Sequence, residues 1–249
     1  MHKDLLKSLV QRNLSIQYKG SALGFIWILL EPILNMAILS FVFTKIIRFQ
    51  IDKFPLFILS AILPWNFFSR ALSEATSSII ENANLVKKAY FRRELLPISS
   101  VLSNFVSLIF SLLVFIPVLV LFKIPLNLSI FFLPVVICSH MLFTLGLAFF
   151  LSCVNVYFRD INSIIRFILM LWFYLTPIFY PLSMVPQDLR YIYKLNPMVS
   201  IIAMYRNILF EGKIPQFSDL CIASITGIAV TAVGYVIFRK YQSGFAKEI

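Results

Sequence analysis

Between Lys3 and Lys19 the apolar residues Leu5, Leu6, Leu9, Val10 and Ile16 fall on one side of a helical wheel, with Asp4, Lys7, Ser8, Arg12 and Lys19 largely on the other. This predicts an amphipathic helix over residues 1–20 that lies in a membrane interface. The chain then changes character. Apolar runs at about 22–47, 54–80, 98–122, 126–156, 161–176 and 220–238 alternate with short polar connections. About 20 apolar residues cover the ~30 Å hydrocarbon layer of a bilayer, so the pattern predicts a single all-α integral membrane domain, residues 1–249, with six transmembrane helices.

The interruptions matter as much as the runs. Glu31-Pro32 breaks the first one, and because a carboxylate is costly in lipid the pair is expected to face protein or water. The second run becomes polar after Phe68, through Ser69, Arg70, Ser73, Glu74, Thr76, Ser77 and Ser78, so its second half is expected to face the bundle interior. Residues 81–97 form a charged connection, predicted helical, with Pro97 opening the third span. A short charged turn, Tyr157 to Asp160, separates the fourth and fifth spans. Residues 177–216 carry Pro177, Pro181, Pro186 and Pro197, yet Met198 to Phe210 reads as a helix with Asn196 as its cap and Pro197 in its first turn. About 14 residues reach only ~21 Å, too short to cross, so this segment is expected to be re-entrant or interfacial.

Composition agrees that lipid is the solvent: 60% of the residues are hydrophobic and 13% charged, against roughly 45–50% and 25% in soluble domains. The net charge of +11 does not indicate nucleic acid, because the cations sit in the connections. They favour the side that carries both termini, which places the termini in the cytoplasm and the proline-rich region outside. Cys138, Cys153 and Cys221 lie in apolar runs and read as packing residues, with neither a disulfide framework nor a metal site. The first apolar run is long enough to remain as a span, so no cleaved signal peptide is expected.

The inventory for catalysis is poor. His140 is the one intramembrane histidine and reads as a hydrogen-bonded packing residue in preference to a ligand. Glu31 and Glu74 serve either interior hydrogen bonding or proton coupling. The seven glycines contain no phosphate-cradling G-x-x-x-x-G-K-[ST] run, so ATP-driven work requires a partner chain and this chain is expected to bind no cofactor. Lys87, Lys88, Arg92, Arg93 and Arg159-Asp160, flanked by Tyr90, Phe91 and Phe158, suit either a docking rim or a solvated loop beside head groups. Gly20 and Gly24 permit close helix approach or a tight bend. Tyr174, Tyr180, Tyr191, Tyr193 and Tyr205 cluster around the outward region as pore candidates, with membrane-interface anchoring the alternative.

Seven motifs in order resemble the type 2 ATP-binding cassette permeases that export polysaccharides and teichoic acids. They are Tyr18-Lys19-Gly20-Ser21-Ala22-Leu23-Gly24-Phe25-Ile26-Trp27 with Glu31-Pro32, Pro64-Trp65-Asn66-Phe67-Phe68, and Glu81-Asn82-Ala83-Asn84-Leu85-Val86-Lys87-Lys88. Next come Phe91-Arg92-Arg93-Glu94-Leu95-Leu96-Pro97, Val156-Tyr157-Phe158-Arg159-Asp160-Ile161, Thr176-Pro177-Ile178-Phe179-Tyr180-Pro181 and Leu195-Asn196-Pro197-Met198. One departure is that family members often carry proline where Arg92 or Arg93 stands. The resemblance implies a homodimeric permease of the bacterial inner membrane, with outward re-entrant gate helices between spans five and six, paired with two copies of a nucleotide-binding subunit that holds ATP and magnesium. The implied cargo is a polysaccharide on a polyprenyl pyrophosphate lipid, of O-antigen type or, as the rival, wall teichoic acid. Asn84, Lys87, Lys88, Tyr90, Phe91, Arg92, Arg93, Glu94, Arg159 and Asp160 then become the cytoplasmic gate, docking and pyrophosphate-contact set. Glu31, Tyr174, Tyr180, Tyr205, Asn196 and Pro197 become channel or outer-gate residues, and Gly20 and Gly24 dimer or bend positions. A proton- or ion-coupled carrier using Glu31 and Glu74 requires paired broken repeats, which the sequence lacks, and a membrane transferase requires acid/base groups it does not supply.

Overall fold

Every apolar run folds as a helix because in lipid each backbone N–H and C=O must be paired within its own segment. The computed structural model describes residues 2–18, 23–48, 51–88, 91–124 and 127–249. The helices are α1 (His2–Tyr18), α2 (Trp27–Phe41, continued by a wider turn at Val42–Ile46), α3 (Phe54–Glu81), α4 (Ala83–Lys88) and α5 (Leu95–Leu121). They continue with α6 (Leu133–Tyr157), α7 (Ile161–Tyr174), α8 (Gln187–Lys194), α9 (Pro197–Leu209), α10 (Phe217–Tyr241) and α11 (Phe245–Glu248). No strand occurs among the described residues.

α3 is the hub. It packs against α2, α5, α6, α7 and α9, and its apolar side supplies the centre of the main core, with Phe68, Ala71 and Leu72 fully enclosed. α6 and α10 form the closest pair. Their backbones touch at Gly146 and Gly234, where a Cβ has no room, and a Cβ on Gly227 would stand 2.9 Å from the Ser139 carbonyl. Hydroxyls pin the pair: Thr231 donates to the Leu142 carbonyl at 2.6 Å, and Ser139 meets Ser224 at 3.0 Å. Small and hydroxylated residues of this kind let membrane helices approach closely.

The helices alternate in direction between two ends. Leu9 of α1, Ile79 at the end of α3, Leu96 at the start of α5, Val156 at the end of α6 and Phe238 and Phe245 near the C-terminus share one cluster, so both termini lie at one end. At the far end Lys53 Nζ donates to the Phe122 carbonyl at 2.6 Å and Asn127 Nδ2 to the Gly212 carbonyl at 3.2 Å. α6 therefore stops at the terminal end and α10 starts at the far end. The segment 158–216 has to carry the chain between them, and α7 is its first helix.

Among the described residues, five helical segments are long and apolar enough to cross a membrane: Trp27–Ile46, Phe54–Glu81, Leu95–Leu121, Leu128–Tyr157 and Phe217–Glu248. The fifth expected run, 161–176, yields α7, whose 14 residues reach ~21 Å. Pro177 explains the early stop, since its ring disfavours helical backbone at the preceding residue. The expected helix in 81–97 is shorter too: α4 spans six residues. The helix after Asn196 forms as α9, with the Asn196 side chain accepting from Met198 N at 3.0 Å.

Candidate functional site

The part of the molecule least suited to lipid is one edge of α3. From Leu56 to Ile79, the residues that are not buried are Asn66, Ser69, Arg70, Ser73, Glu74 and Ser77. All six are polar, and their spacing of three and four puts them on one helix face. The serines fold their protons back onto the helix: Ser73 donates to the Ser69 carbonyl at 2.8 Å and Ser77 to that of Glu74 at 3.3 Å. Their lone pairs stay available along the seam.

Neighbouring helices complete the seam. Arg70 pairs with Glu31 of α2, both side chains about half-buried. Glu74 receives one hydrogen bond from each side, Gln17 Nε2 of α1 at 2.8 Å on Oε1 and Asn104 Nδ2 of α5 at 2.7 Å on Oε2. At the terminal end the seam opens into a polar cavity of about 310 Å³ between α1, α3 and α5, lined by Arg12, Asn13, Gln17, Glu74 and Glu81 among others. The expectation that this half of the second span turns inward holds for Thr76 and Ser78, which are buried, while the remaining polar groups form an open edge.

The residues singled out for the cytoplasmic gate gather at the terminal end. Asn84 and Lys87 are exposed on α4, Arg92 is exposed just before α5, and Arg159 and Asp160 are exposed between α6 and α7, next to Phe158. Phe91 is half-buried. Arg93 is occupied, donating to the Gln242 carbonyl, and Glu94 is buried. Gly20, Tyr90 and the side chain of Lys88 lie outside the described residues. Gly24 adopts a left-handed φ of +50°, and a Cβ there would meet nothing within 4 Å. Backbone conformation, not close packing within this chain, accounts for that glycine.

At the far end Tyr174 is exposed, and the Tyr180 hydroxyl donates to its carbonyl at 3.0 Å while meeting the Tyr193 hydroxyl at 3.0 Å. Burial, then that hydroxyl partner, pushes the Tyr180 phenol above its ordinary pKa. Asn196 joins three elements: its Oδ1 accepts from Trp172 Nε1 at 2.8 Å as well as from Met198 N, and its Nδ2 donates to Thr176 Oγ1 at 3.3 Å. Pro197 is half-buried beside it. Tyr205 stands apart from this set, fully buried against His140 with ring centroids 5.8 Å apart. His140 is packed as expected, but neither ring nitrogen has a hydrogen-bond partner. Among the described residues no cluster of His, Cys, Asp or Glu is placed to hold a metal.

Sequence reasoning missed Arg206. It is buried in α9, donating from Nη1 and Nη2 to the Pro177 and Ile178 carbonyls at 2.9 and 2.8 Å, with its guanidinium 3.7 Å from the Phe57 ring centroid. It fastens the turn after α7 to α9. The available signal was a lone charge in an otherwise apolar helix.

Residues 4–210 match the ABC-2 type transporter family. The chain is 33% identical over 250 residues to the O-antigen export system permease protein RfbA of Myxococcus xanthus, covering 100% of this chain and 96% of that one. It is 31% identical over 245 residues to the protein of the same name from Klebsiella pneumoniae (98% and 94% covered), and 20% identical over 252 residues to the polysialic acid transport protein KpsM of Escherichia coli (97% and 95%).

Proposed function

Since this chain belongs to the ABC-2 type transporter family, we propose that it is the permease subunit of an ATP-driven exporter that moves an O-antigen-type polysaccharide, linked to polyprenyl pyrophosphate, across the bacterial inner membrane. The observation that carries this reading is the exclusively polar edge of α3. A polar face at membrane depth is stable only against water or protein. Half-exposed serine, asparagine and ion-paired groups suit a chain of sugar hydroxyls, because each hydrogen bond to a sugar replaces one to water and none is strong enough to hold the polymer. One edge makes half a channel. A second copy of the chain supplies the other half, and the free apolar faces of α2 (Leu34, Ile38, Phe41) and α7 (Ile164, Phe167, Leu171) support such pairing.

In this reading α1 lies in the interface, α7 with the turn after it completes a sixth crossing, and α8 and α9 are re-entrant elements on the outer side. The excess of cations at the terminal end supports a cytoplasmic location for both termini. Asn84, Lys87, Lys88, Tyr90, Phe91, Arg92, Arg159 and Asp160 then face the cytoplasm, where two copies of an ATPase subunit dock and supply ATP and magnesium. Lys87, Lys88, Arg92 and Arg93 offer the pyrophosphate point charges and guanidinium forks, with Arg93 first having to release Gln242. Tyr174, Tyr180, Asn196 and Pro197 form the outer gate.

Co-expression with the chromosomally adjacent P-loop ATPase tests the reading. The expected result is a stoichiometric complex, and in cells Ser73→Trp, which fills the seam, removes polymer from the surface while the complex stays intact. Failure to recruit the ATPase, or wild-type surface polymer in Ser73→Trp, overturns it.

A further inference from the structure

A second feature of α2 lies on its other flank. Between α2 and α5, floored by α3, is an apolar slot of about 260 Å³, walled by Leu29, Ile33 and Met36 of α2, Leu59 of α3 and Val114 and Val118 of α5. Leu29, Ile33 and Met36 recur at helical spacing and project from the opposite flank of α2 to Glu31 and Asn35. The slot therefore faces away from these two side chains, and it meets the polar seam only at its inner end, where Pro32, Leu63 and Ser111 also wall a small cavity beside Asn66 and Arg70. Its one hydroxyl, on Ser111, already donates to the Ser107 carbonyl at 2.9 Å.

The slot is apolar along its length and cationic at its far-end mouth. Lys53 is the one charged residue among its described wall residues. The ammonium spends one proton on the Phe122 carbonyl, 2.6 Å away, and retains two for a ligand. Lys123 follows Phe122 and is exposed, and Arg48 is exposed at the end of the α2 segment. Arg48, Lys53 and Lys123 adopt left-handed φ values of 63°, 53° and 55°, and they are the non-glycine residues with positive φ among the described residues. Side chains rarely take that conformation without a reason that outweighs the strain. Asp52 is the single acidic residue in 45–55 and 119–127, against Lys45, Arg48, Lys53 and Lys123.

We propose that this slot binds one acyl chain of an anionic membrane glycerophospholipid, whose phosphate sits at Lys53 and Lys123. An apolar trough inside a membrane span with a cationic mouth at its end matches an amphiphile with one anionic head, and basic pockets between membrane helices recognise such heads. The trough admits a single flexible chain between two helices that already flank it. Lipid bound here fills the space beside α2, whose 18-residue apolar window is 11% buried.

Native mass spectrometry of the purified, delipidated protein titrated with phosphatidylglycerol or phosphatidylcholine tests the site without reference to export. The expected result is about tenfold tighter binding of phosphatidylglycerol. That preference disappears in Lys53→Gln/Lys123→Gln and returns in Lys53→Arg/Lys123→Arg. Val114→Trp changes a wall residue that is already 43% exposed, so the fold tolerates it, and it weakens both lipids about tenfold by filling the slot. Equal affinity for the two lipids in the wild type, or a preference that survives the double glutamine variant, overturns the proposal. So does displacement of phosphatidylglycerol by equimolar polyprenyl phosphate, which would assign the slot to the carrier lipid.

Discussion

α2 and α3 lie antiparallel and side by side, yet they relate to their surroundings in opposite ways. α2 has a mean hydropathy of 1.7 over its most apolar window and 11% of that window is buried; for α3 the figures are 1.3 and 78%. The least hydropathic of the five long segments is thus the most enclosed by protein, and a more hydropathic one is the least enclosed. In water the apolar helix goes inside. In a bilayer lipid solvates apolar side chains as well as protein does, so hydropathy alone does not decide which helix is enclosed. α3 encloses its apolar faces among other helices and leaves a polar edge uncovered.

The largest expected effect tests the packing half of this contrast. Ala75 of α3 is fully enclosed, whereas Ala37 of α2 is exposed. Ala75→Phe forces a ring into a filled interior and should cost about 3 kcal/mol; Ala37→Phe adds a ring to a face that is open in the single chain and should stay within about 0.5 kcal/mol for the protomer's own fold. Reversible unfolding of the two variants in mixed micelles measures both. Equal losses would mean that α2 is as enclosed as α3 in the assembled protein.

A smaller effect tests how the polar edge is tied down. Glu74 is the point where α1 and α5 both reach α3, through Gln17 and Asn104. Hydrogen bonds to a charged group contribute about 1.5–3 kcal/mol, so Glu74→Ala should lower the protection of α1 amides against hydrogen exchange by roughly 2 kcal/mol. Ser69→Ala on the same edge, which loses only a 3.4 Å hydrogen bond to its own helix, should leave α1 protection unchanged. If Glu74→Ala also leaves it unchanged, Leu9 and its apolar neighbours hold α1 without the clamp.

The spans were legible because lipid imposes a length and an apolarity that the chain has to meet. α3 starts at Phe54 as expected, and Asn196 and Pro197 marked the start of α9 through their local chemistry. α7 was overestimated because hydropathy continues past Tyr174, and only the backbone restriction imposed by Pro177 shortens it. The polar half of α3 was visible in the sequence, but which hydroxyls would be buried, as with Thr76 and Ser78, depends on the helices that cover them. Tyr205 was misplaced, and Arg206 missed, for the same reason. Both sit near the outer turns in sequence, and only the packing of α9 against α3 and α6 encloses them.

The smallest expected effect decides whether the boundary between the two helices is wet. Glu31 and Arg70 join α2 to α3, with side chains 45% and 36% exposed in the single chain. If water fills the seam, it screens the pair, and a double-mutant cycle with Glu31→Gln and Arg70→Gln should give a coupling of about 0.5–1 kcal/mol. Raising the ionic strength from 0.01 M to 1 M shortens the Debye length from about 30 Å to about 3 Å, so that coupling should shrink in high salt. A coupling above about 3 kcal/mol that ignores salt would mean a dry pair, sealed by lipid or by a neighbouring chain. The polar edge of α3 would then be a protein contact, and the conducting path would have to lie elsewhere.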